Sequence, residues 1–370
     1  MGSNLGRFRW GVDIDDVWKY AGLPGPNSVV VPYLMSVPVG RERFSLPTSN
    51  ESQSPSTSPL PVGGVNGGRD KRSPQDLASF LRRSGVDFVR CWFQWNFFQP
   101  RILKSLEAAD DGSVYQFPLD DFVSKMTREG IQVVGAIGSG YDRFLPPGLG
   151  TDRIGEYLAK LRESSAQIVR HYKDSVKVWQ IENEPNWWWA HYTSAWRRGL
   201  VWLQRRNQGP ILGTLHDVVR SECPGASIIV NLQVHERTAD WGFYSKYCDI
   251  LGLDSYPNYL RRTPDSGRIL ATTASRVRKE TGRPVMVVET GYPSSPRVFG
   301  FDERKQSQYV RAACQAAYGC DAIAGLGWFR FSDSYWRSFP PQENHFGLLT
   351  REGRPKAGWG EFVTQISQKR

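Results

Sequence analysis

The 370-residue sequence predicts an α/β fold: a single (β/α)8 TIM barrel with a long loop inserted after its first strand. Eight short segments rich in β-branched and aromatic residues alternate with eight longer segments of helical period. No GxGxxG or GxxxxGK(S/T) follows a strand, which removes the nucleotide site expected of a flat doubly wound sheet. Two apolar segments end abruptly in a carboxylate, at the strand end where barrels place their chemistry. Length alone suggests two or three domains, but a barrel of this size is one unit.

The strands are expected at Phe8–Ile14, Val86–Phe93, Ile131–Ile137, Val176–Glu182, Ser227–Leu232, Asp249–Leu253, Pro284–Glu289 and Gly325–Phe331. The helices are expected at Pro74–Ser84, Leu119–Glu129, Arg153–Tyr172, Ser194–Ser221, Trp241–Lys246, Gly267–Thr281, Asp302–Tyr318 and Lys356–Gln368. Ser73-Pro74 opens the first helix with a cap and a proline at its first position. Gly130, Gly282 and Gly319 follow helices, where a left-handed residue is favoured. The segment Tyr20–Arg72 breaks the rhythm as an inserted first βα loop, residues 20–72. Its second half, Ser45–Gly68, is rich in Pro, Ser, Thr and Gly and cannot order itself by burial. It reads as a flexible insertion or as a cleft wall on the catalytic face.

Composition narrows the function. Lys and Arg exceed Asp and Glu by 47 to 37, a net charge of +10 that first suggests a polyanion partner. The basic residues are scattered in pairs such as Arg82-Arg83 and Arg205-Arg206, with no basic tail, so a solvated surface is expected and no nucleic acid. No apolar run approaches the roughly 20 residues of a membrane-spanning helix, and no membrane role is expected. Five Cys without a CxxC form no disulfide framework or zinc pattern. The five His include no HxH or HExxH, so a metal-dependent hydrolase is disfavoured and no cofactor or metal is expected. Met1-Gly2-Ser3 carries no apolar signal core; a secreted or periplasmic site stands ahead of a cytoplasmic one, and a monomer ahead of an oligomer.

The fourth strand runs into Gln180-Ile181-Glu182-Asn183-Glu184-Pro185-Asn186, and the seventh into Val287-Val288-Glu289-Thr290-Gly291-Tyr292-Pro293. In a closed barrel these strands lie on opposing parts of the wall, so two inward Glu can flank one bond. Paired carboxylates suit glycosidic cleavage, one protonating the leaving oxygen and one attacking the anomeric carbon. Alternation places Glu182 and Glu184 on one face, so spacing alone does not choose between them.

Asn183-Glu184-Pro185 with Glu289 resembles the clan A retaining glycoside hydrolases, over most of the chain from the first strand to Lys356. The resemblance implies Glu184 as general acid/base, Glu289 as nucleophile and Asn183 as a contact to the sugar 2-hydroxyl. It further implies Arg90, near the end of strand two, and Tyr256, after strand six, as supports of the nucleophile. Trp328, ending strand eight, is implied as the floor of the subsite. Strand three lacks the His, and strand six the His-x-Tyr, of many members; the pattern stands among families 5, 39, 17 and 53.

Aromatic side chains match the apolar faces of sugar rings. Trp92, Trp95, Phe97 and Phe98 follow strand two, Trp187-Trp188-Trp189 follow Asn-Glu-Pro, and Tyr335 and Trp336 follow strand eight. These clusters predict a cleft for several sugar units, with Trp92, Trp95 and Trp187 as candidate contacts. His235, like His191 and His345, lies on a loop of the same face and is a candidate contact. Arg143, Arg297 and Arg330 would suit an acidic sugar. The expected partner is a carbohydrate and the expected activity a retaining β-glycosidase, endo-acting on a glucan, galactan or mannan type of chain. An exo-acting enzyme, a transglycosylase and a non-catalytic carbohydrate-binding barrel are the alternatives.

Overall fold

A computed structural model of the chain describes residues 8–14, 74–93, 117, 119–138, 154–186, 207–234, 240–258, 263–334 and 341–369. The inserted loop 20–72 and the first half of the helix expected at Ser194–Ser221 lie outside them. Eight parallel strands close a barrel in chain order: β1 Arg9–Asp13, β2 Phe88–Trp92, β3 Gln132–Ile137, β4 Val178–Ile181, β5 Ser227–Gln233, β6 Ile250–Ser255, β7 Val285–Thr290 and β8 Ile323–Trp328. The intervening helices are α1 Pro74–Arg83, α2 Asp120–Arg128, α3 Ile154–Tyr172, α4 Gln208–Glu222, α5 Trp241–Tyr244, α6 Arg268–Thr281, α7 Glu303–Tyr318 and α8 Ala357–Gln368. Every strand expected from the sequence is present. The short α5 continues as a 3-10 turn over Ser245–Tyr247 and is capped by Asp240, which accepts from the Phe243 N–H at 2.9 Å. The chain turns left-handed at Gly130 and Gly282, but Gly319 ends α7 at φ −79°.

Alternation sorts each strand into two layers. Outward residues such as Val12, Val89, Trp179, Ile228, Leu253 and Leu326 join the helices in one continuous core. Inward residues Phe88, Val134, Ile229, Ile250, Met286 and Val288 form a second, separate apolar cluster that plugs the lumen. Phe88 needs Gly11 opposite: a Cβ at Gly11 would sit 2.3 Å from the Phe88 ring. Six of the fourteen Trp are described, and Trp10, Trp179, Trp241, Trp328 and Trp359 all belong to the barrel–helix core. Part of the tryptophan richness is therefore packing.

Two of the departures from simple alternation fall at carboxylates, beside the register shifts between β7 and β8. The β6–β7 register advances from Leu253↔Val287 to Asp254↔Glu289, so β7 carries one extra residue. Val287 faces out and Val288 faces in; strict alternation would turn Glu289 outward, and the bulge returns it to the lumen beside Asp254. At the other side, β4 ends at Ile181, and Glu182 and Glu184 take φ of +60° and +46°.

Candidate active site

The lumen changes character towards the carboxyl ends of the strands. Two residues beyond Phe88 stands Arg90, buried to 1% exposure. Its Nη1 lies 2.7 Å from Glu289 Oε1 and 3.0 Å from Asp13 Oδ2. Its Nε donates to Gln180 Oε1 at 2.7 Å and its Nη2 to Asn183 Oδ1 at 2.8 Å. A guanidinium in that geometry is a fixed fork rather than a mobile charge. Burial opposes its charge, but Asp13 and Glu289 outweigh burial and hold it protonated.

Glu289 is held from both sides: Arg90 is on Oε1, and the Tyr256 hydroxyl donates to Oε2 at 2.6 Å. A cation on one oxygen and a phenol on the other fix the orientation of the carboxyl. Burial and the charge of Glu289 push the Tyr256 phenol well above its usual range, so the phenol stays a donor.

Glu184 is placed by side chains that grip its own loop. Its backbone N–H donates to Asn231 Oδ1 at 3.3 Å. The Asn186 amide clasps Gln233, accepting from its N–H at 3.0 Å and donating to its carbonyl at 2.8 Å, which continues the β4–β5 pairing through a side chain. Gln208 donates to the Pro185 carbonyl at 2.7 Å. These bonds sustain a left-handed backbone that a non-glycine residue adopts only at a cost of roughly 1–3 kcal/mol. Asn183 Oδ1 receives Arg90, Asn231 and, at 3.3 Å, Gln180, so its donor Nδ2 end is the one turned away from that cluster.

The competition between the two acids of the fourth strand resolves by backbone conformation. With β4 already ended, alternation does not put them on one face. Glu182 is fully buried with its carboxyl against the backbone at the end of β3, where a Cβ on Gly138 would lie 2.7 Å from Cδ. Glu184 instead joins Glu289 and Asp254, each offering a carboxylate oxygen within 4.8 Å of the others. Burial, and then the charge of Glu289, push the Glu184 carboxyl up to about 8, with Arg90 opposing. Three such oxygens could in number begin a cation site, but both oxygens of Glu289 are already engaged by Arg90 and Tyr256.

Of the residues singled out in the sequence, Glu184, Glu289, Arg90, Asn183 and Tyr256 converge here. Trp92 faces the same mouth, its ring 5.3 Å from the Arg90 guanidinium carbon. Trp328 does not. Inward Gly327 precedes it, so alternation turns Trp328 outward; it is fully buried, donates Nε1–H to the Phe346 carbonyl at 3.0 Å and packs on Tyr309. The floor role expected of Trp328 is therefore corrected. The strand-eight aromatic on the site side is its neighbour Phe329, half-buried, with its ring centre 5.8 Å from that of Tyr256. Trp95, Trp187, His235, His191 and Arg143 lie outside the described residues. His345 stands 3.6 Å from Asp333, Arg330 is buried against the Phe329 ring and Arg297 is exposed. Sequence reading missed Asp13, Gln180, Asn231 and Asp254; each is a polar residue at an inward position of an otherwise apolar strand, which is the signal that could have found them.

No protein-family model matches the chain, and no curated protein matches it. Solved structures do. A family 5 subfamily 18 glycoside hydrolase from Bifidobacterium longum, in complex with Manβ1-4GlcNAc, is 16% identical, with a TM-score of 0.64 over 80% of this chain and 72% of that one. A family 39 glycoside hydrolase from Bacteroides cellulosilyticus is 17% identical, with a TM-score of 0.56, and 80% of this chain spans 61% of it. A family 2 β-galacturonidase from Eisenbergiella tayi is 15% identical, with a TM-score of 0.53, and 80% of this chain spans 47% of it. All are glycoside hydrolases, and at these identities the likeness establishes the shared barrel fold.

Proposed function

We propose that this chain is a retaining β-glycoside hydrolase in which Glu184 is the general acid/base and Glu289 the nucleophile. The observation that carries the reading is the asymmetry between two facing carboxyls. Glu289 has the Arg90 guanidinium on one oxygen and the Tyr256 hydroxyl on the other, while Glu184, buried with no cation on its own oxygens among the described residues, is pushed up to about 8 by burial and then by Glu289. Each offers an oxygen within 4.8 Å of the other's, which suits the short carboxyl spacing, roughly 5–5.5 Å, of retaining enzymes.

In the first step the Glu184 proton passes to the glycosidic oxygen as Glu289 bonds to the anomeric carbon and the aglycone leaves. In the second, water attacks that carbon, its proton goes to Glu184, and the bond to Glu289 breaks. Arg90 and Tyr256 receive Glu289 back as a carboxylate. The Asn183 amide, its orientation fixed by three donors on Oδ1, offers its N–H to a sugar hydroxyl. Trp92 and Phe329 supply the apolar surfaces for the ring. The Trp-rich loops support an endo-acting enzyme on a β-linked chain of glucan, galactan or mannan type. Release of reducing ends from a polysaccharide panel identifies the chain.

The deciding experiment is Glu289→Ala. A loss of about 10⁴-fold or more in turnover of a 4-nitrophenyl β-glycoside is expected, and unchanged turnover overturns the nucleophile assignment. NMR of the first product formed by the wild-type chain should show the anomer of the substrate; the opposite anomer overturns retention.

A further inference from the structure

Neither the two-carboxylate mechanism nor the resemblance assigns anything to Asp254. It is completely buried at the end of β6, and the β7 bulge sets it level with Glu289. Its carboxyl, Glu184 and Glu289 occupy one small volume. The only guanidinium there among the described residues is spent elsewhere: Arg90 bonds Asp13, Glu289, Gln180 and Asn183. Asp254 is served on one oxygen alone, where the Asn231 amide donates to Oδ2. No donor of the described residues reaches Oδ1, which is buried. What lies within hydrogen-bonding reach is the carboxyl of Glu184. Two carboxyls can bond one another only through a proton on one of them.

We propose that Asp254 is a standing carboxylic acid of this site, whose Oδ1–H is donated to Glu184 and orients it for proton delivery. Asn231 decides the arrangement. Its Nδ2 occupies Asp254 Oδ2, which leaves Oδ1 for the proton, and its Oδ1 takes the Glu184 backbone N–H and Gln180 Nε2, so one amide fixes both acids. Among the described residues, the charged and titratable groups facing the pair are Glu289 from β7, Arg90 from β2 with Asp13 behind it, Tyr256 after β6 and Glu343 in the loop after β8. Burial, then Glu289, then Glu184 push the Asp254 carboxyl well up, and Arg90 and Asn231 oppose.

Resting on the glycosidase reading, the role follows directly. When Glu184 gives its proton to the leaving oxygen, its new carboxylate accepts the Asp254 O–H; when Glu184 recovers a proton from water, that bond weakens. The Asp254 proton stays on Asp254 throughout, so Asp254 is a positioning residue.

The test reads the proton itself. Carbon-13 NMR of the aspartate side-chain carboxyls in the wild-type chain should show one resonance still at its acid position at about pH 6, where ordinary aspartates have ionised, and that resonance should vanish in Asp254→Asn. If every aspartate carboxyl has ionised by pH 6, the proposal is overturned. This readout needs no variant to detect the proton and no substrate, so the proton can be found even if no glycoside is cleaved, which would fault the glycosidase reading alone. The pH profile of 4-nitrophenyl β-glycoside cleavage adds a kinetic arm. Asp254→Asn, an uncharged donor in the same place, should leave the alkaline limb of kcat/KM where it is. A fall of that limb by about one pH unit, tenfold less activity at a given alkaline pH, would mean that Asp254 had been an anion holding the Glu184 proton by its charge, and would overturn the proposal.

Discussion

The floor and the mouth of this barrel are built from the same strands, two to four residues apart. Phe88 gives way to Arg90, Val178 to Gln180, Ile229 to Asn231 and Ile250 to Asp254. The floor is held by contact alone: shape fills the lumen, and Gly11 is cut away to admit the Phe88 ring. The mouth is held by bonds between charged and polar groups that are equally buried. Hydrophobic contact tolerates approximate partners, whereas a buried charge demands the right one. The difference teaches why stability and chemistry can be assigned to separate layers of one wall.

The comparison breaks most sharply at Phe88 and Arg90. Phe88→Ala opens a cavity and should cost about 3–5 kcal/mol in unfolding free energy, yet leave kcat per folded molecule near that of the wild-type chain. Arg90→Met should cost a similar 3–5 kcal/mol, because Asp13 and Glu289 lose their shared cation inside the protein. It should also lower kcat about 100- to 1,000-fold through loss of the group that steadies Glu289. Denaturant unfolding and active-site titration measure the two quantities separately. Equal loss of kcat in both variants would erase the division between layers.

A finer distinction is pH. The floor contains no titrating group, while the mouth holds Glu184, raised from 4.5 to about 8 chiefly by burial and then by Glu289. The folded chain keeps a proton that the unfolded chain releases. The stability tied to that group is therefore complete below about pH 4.5 and is lost as pH rises to about 8. Glu184→Gln removes the titration. Its Tm relative to the wild-type chain should climb across that window by on the order of a few degrees, whereas Phe88→Leu should shift Tm equally at every pH. A Glu184→Gln offset that stays constant from pH 5 to 8 contradicts the assignment.

The floor was legible in the sequence and the mouth only in part, for the same physical reason. Apolar alternation reports burial, so all eight strands could be read, and Asn183, Glu184 and Glu289 stood out at strand ends. Alternation fails where the backbone leaves it. The bulge that turns Glu289 inward and the left-handed turns at Glu182 and Glu184 are set by neighbouring strands and by Asn186, Asn231 and Gln208, which no local pattern announces. Gln180, Asn231 and Asp254 were visible as polar interruptions, but the partners that tie them across the barrel wall, such as Arg90 to Gln180 and Asn231 to Asp254, lie 23 to 90 residues away along the chain. Trp328 was misplaced by a single residue, and one residue in a strand is the whole difference between lumen and outer core.

That one-residue difference gives the smallest and most specific contrast. Trp328 faces the helices and Phe329 faces Tyr256. Trp328→Phe deletes the Nε1–H bond to Phe346 and should cost about 1 kcal/mol of stability with KM unmoved. Phe329→Ala removes an aromatic face worth about 0.5–1.5 kcal/mol to a stacked ring, so KM should rise about two- to tenfold with a smaller change in Tm. Both variants retain Arg90, Tyr256 and the two acids, so a KM effect reports the ring surface and not the chemistry. If Trp328→Phe raises KM and Phe329→Ala does not, the sugar lies on the other side of β8, and the mouth would have to include part of the layer that here belongs to the core.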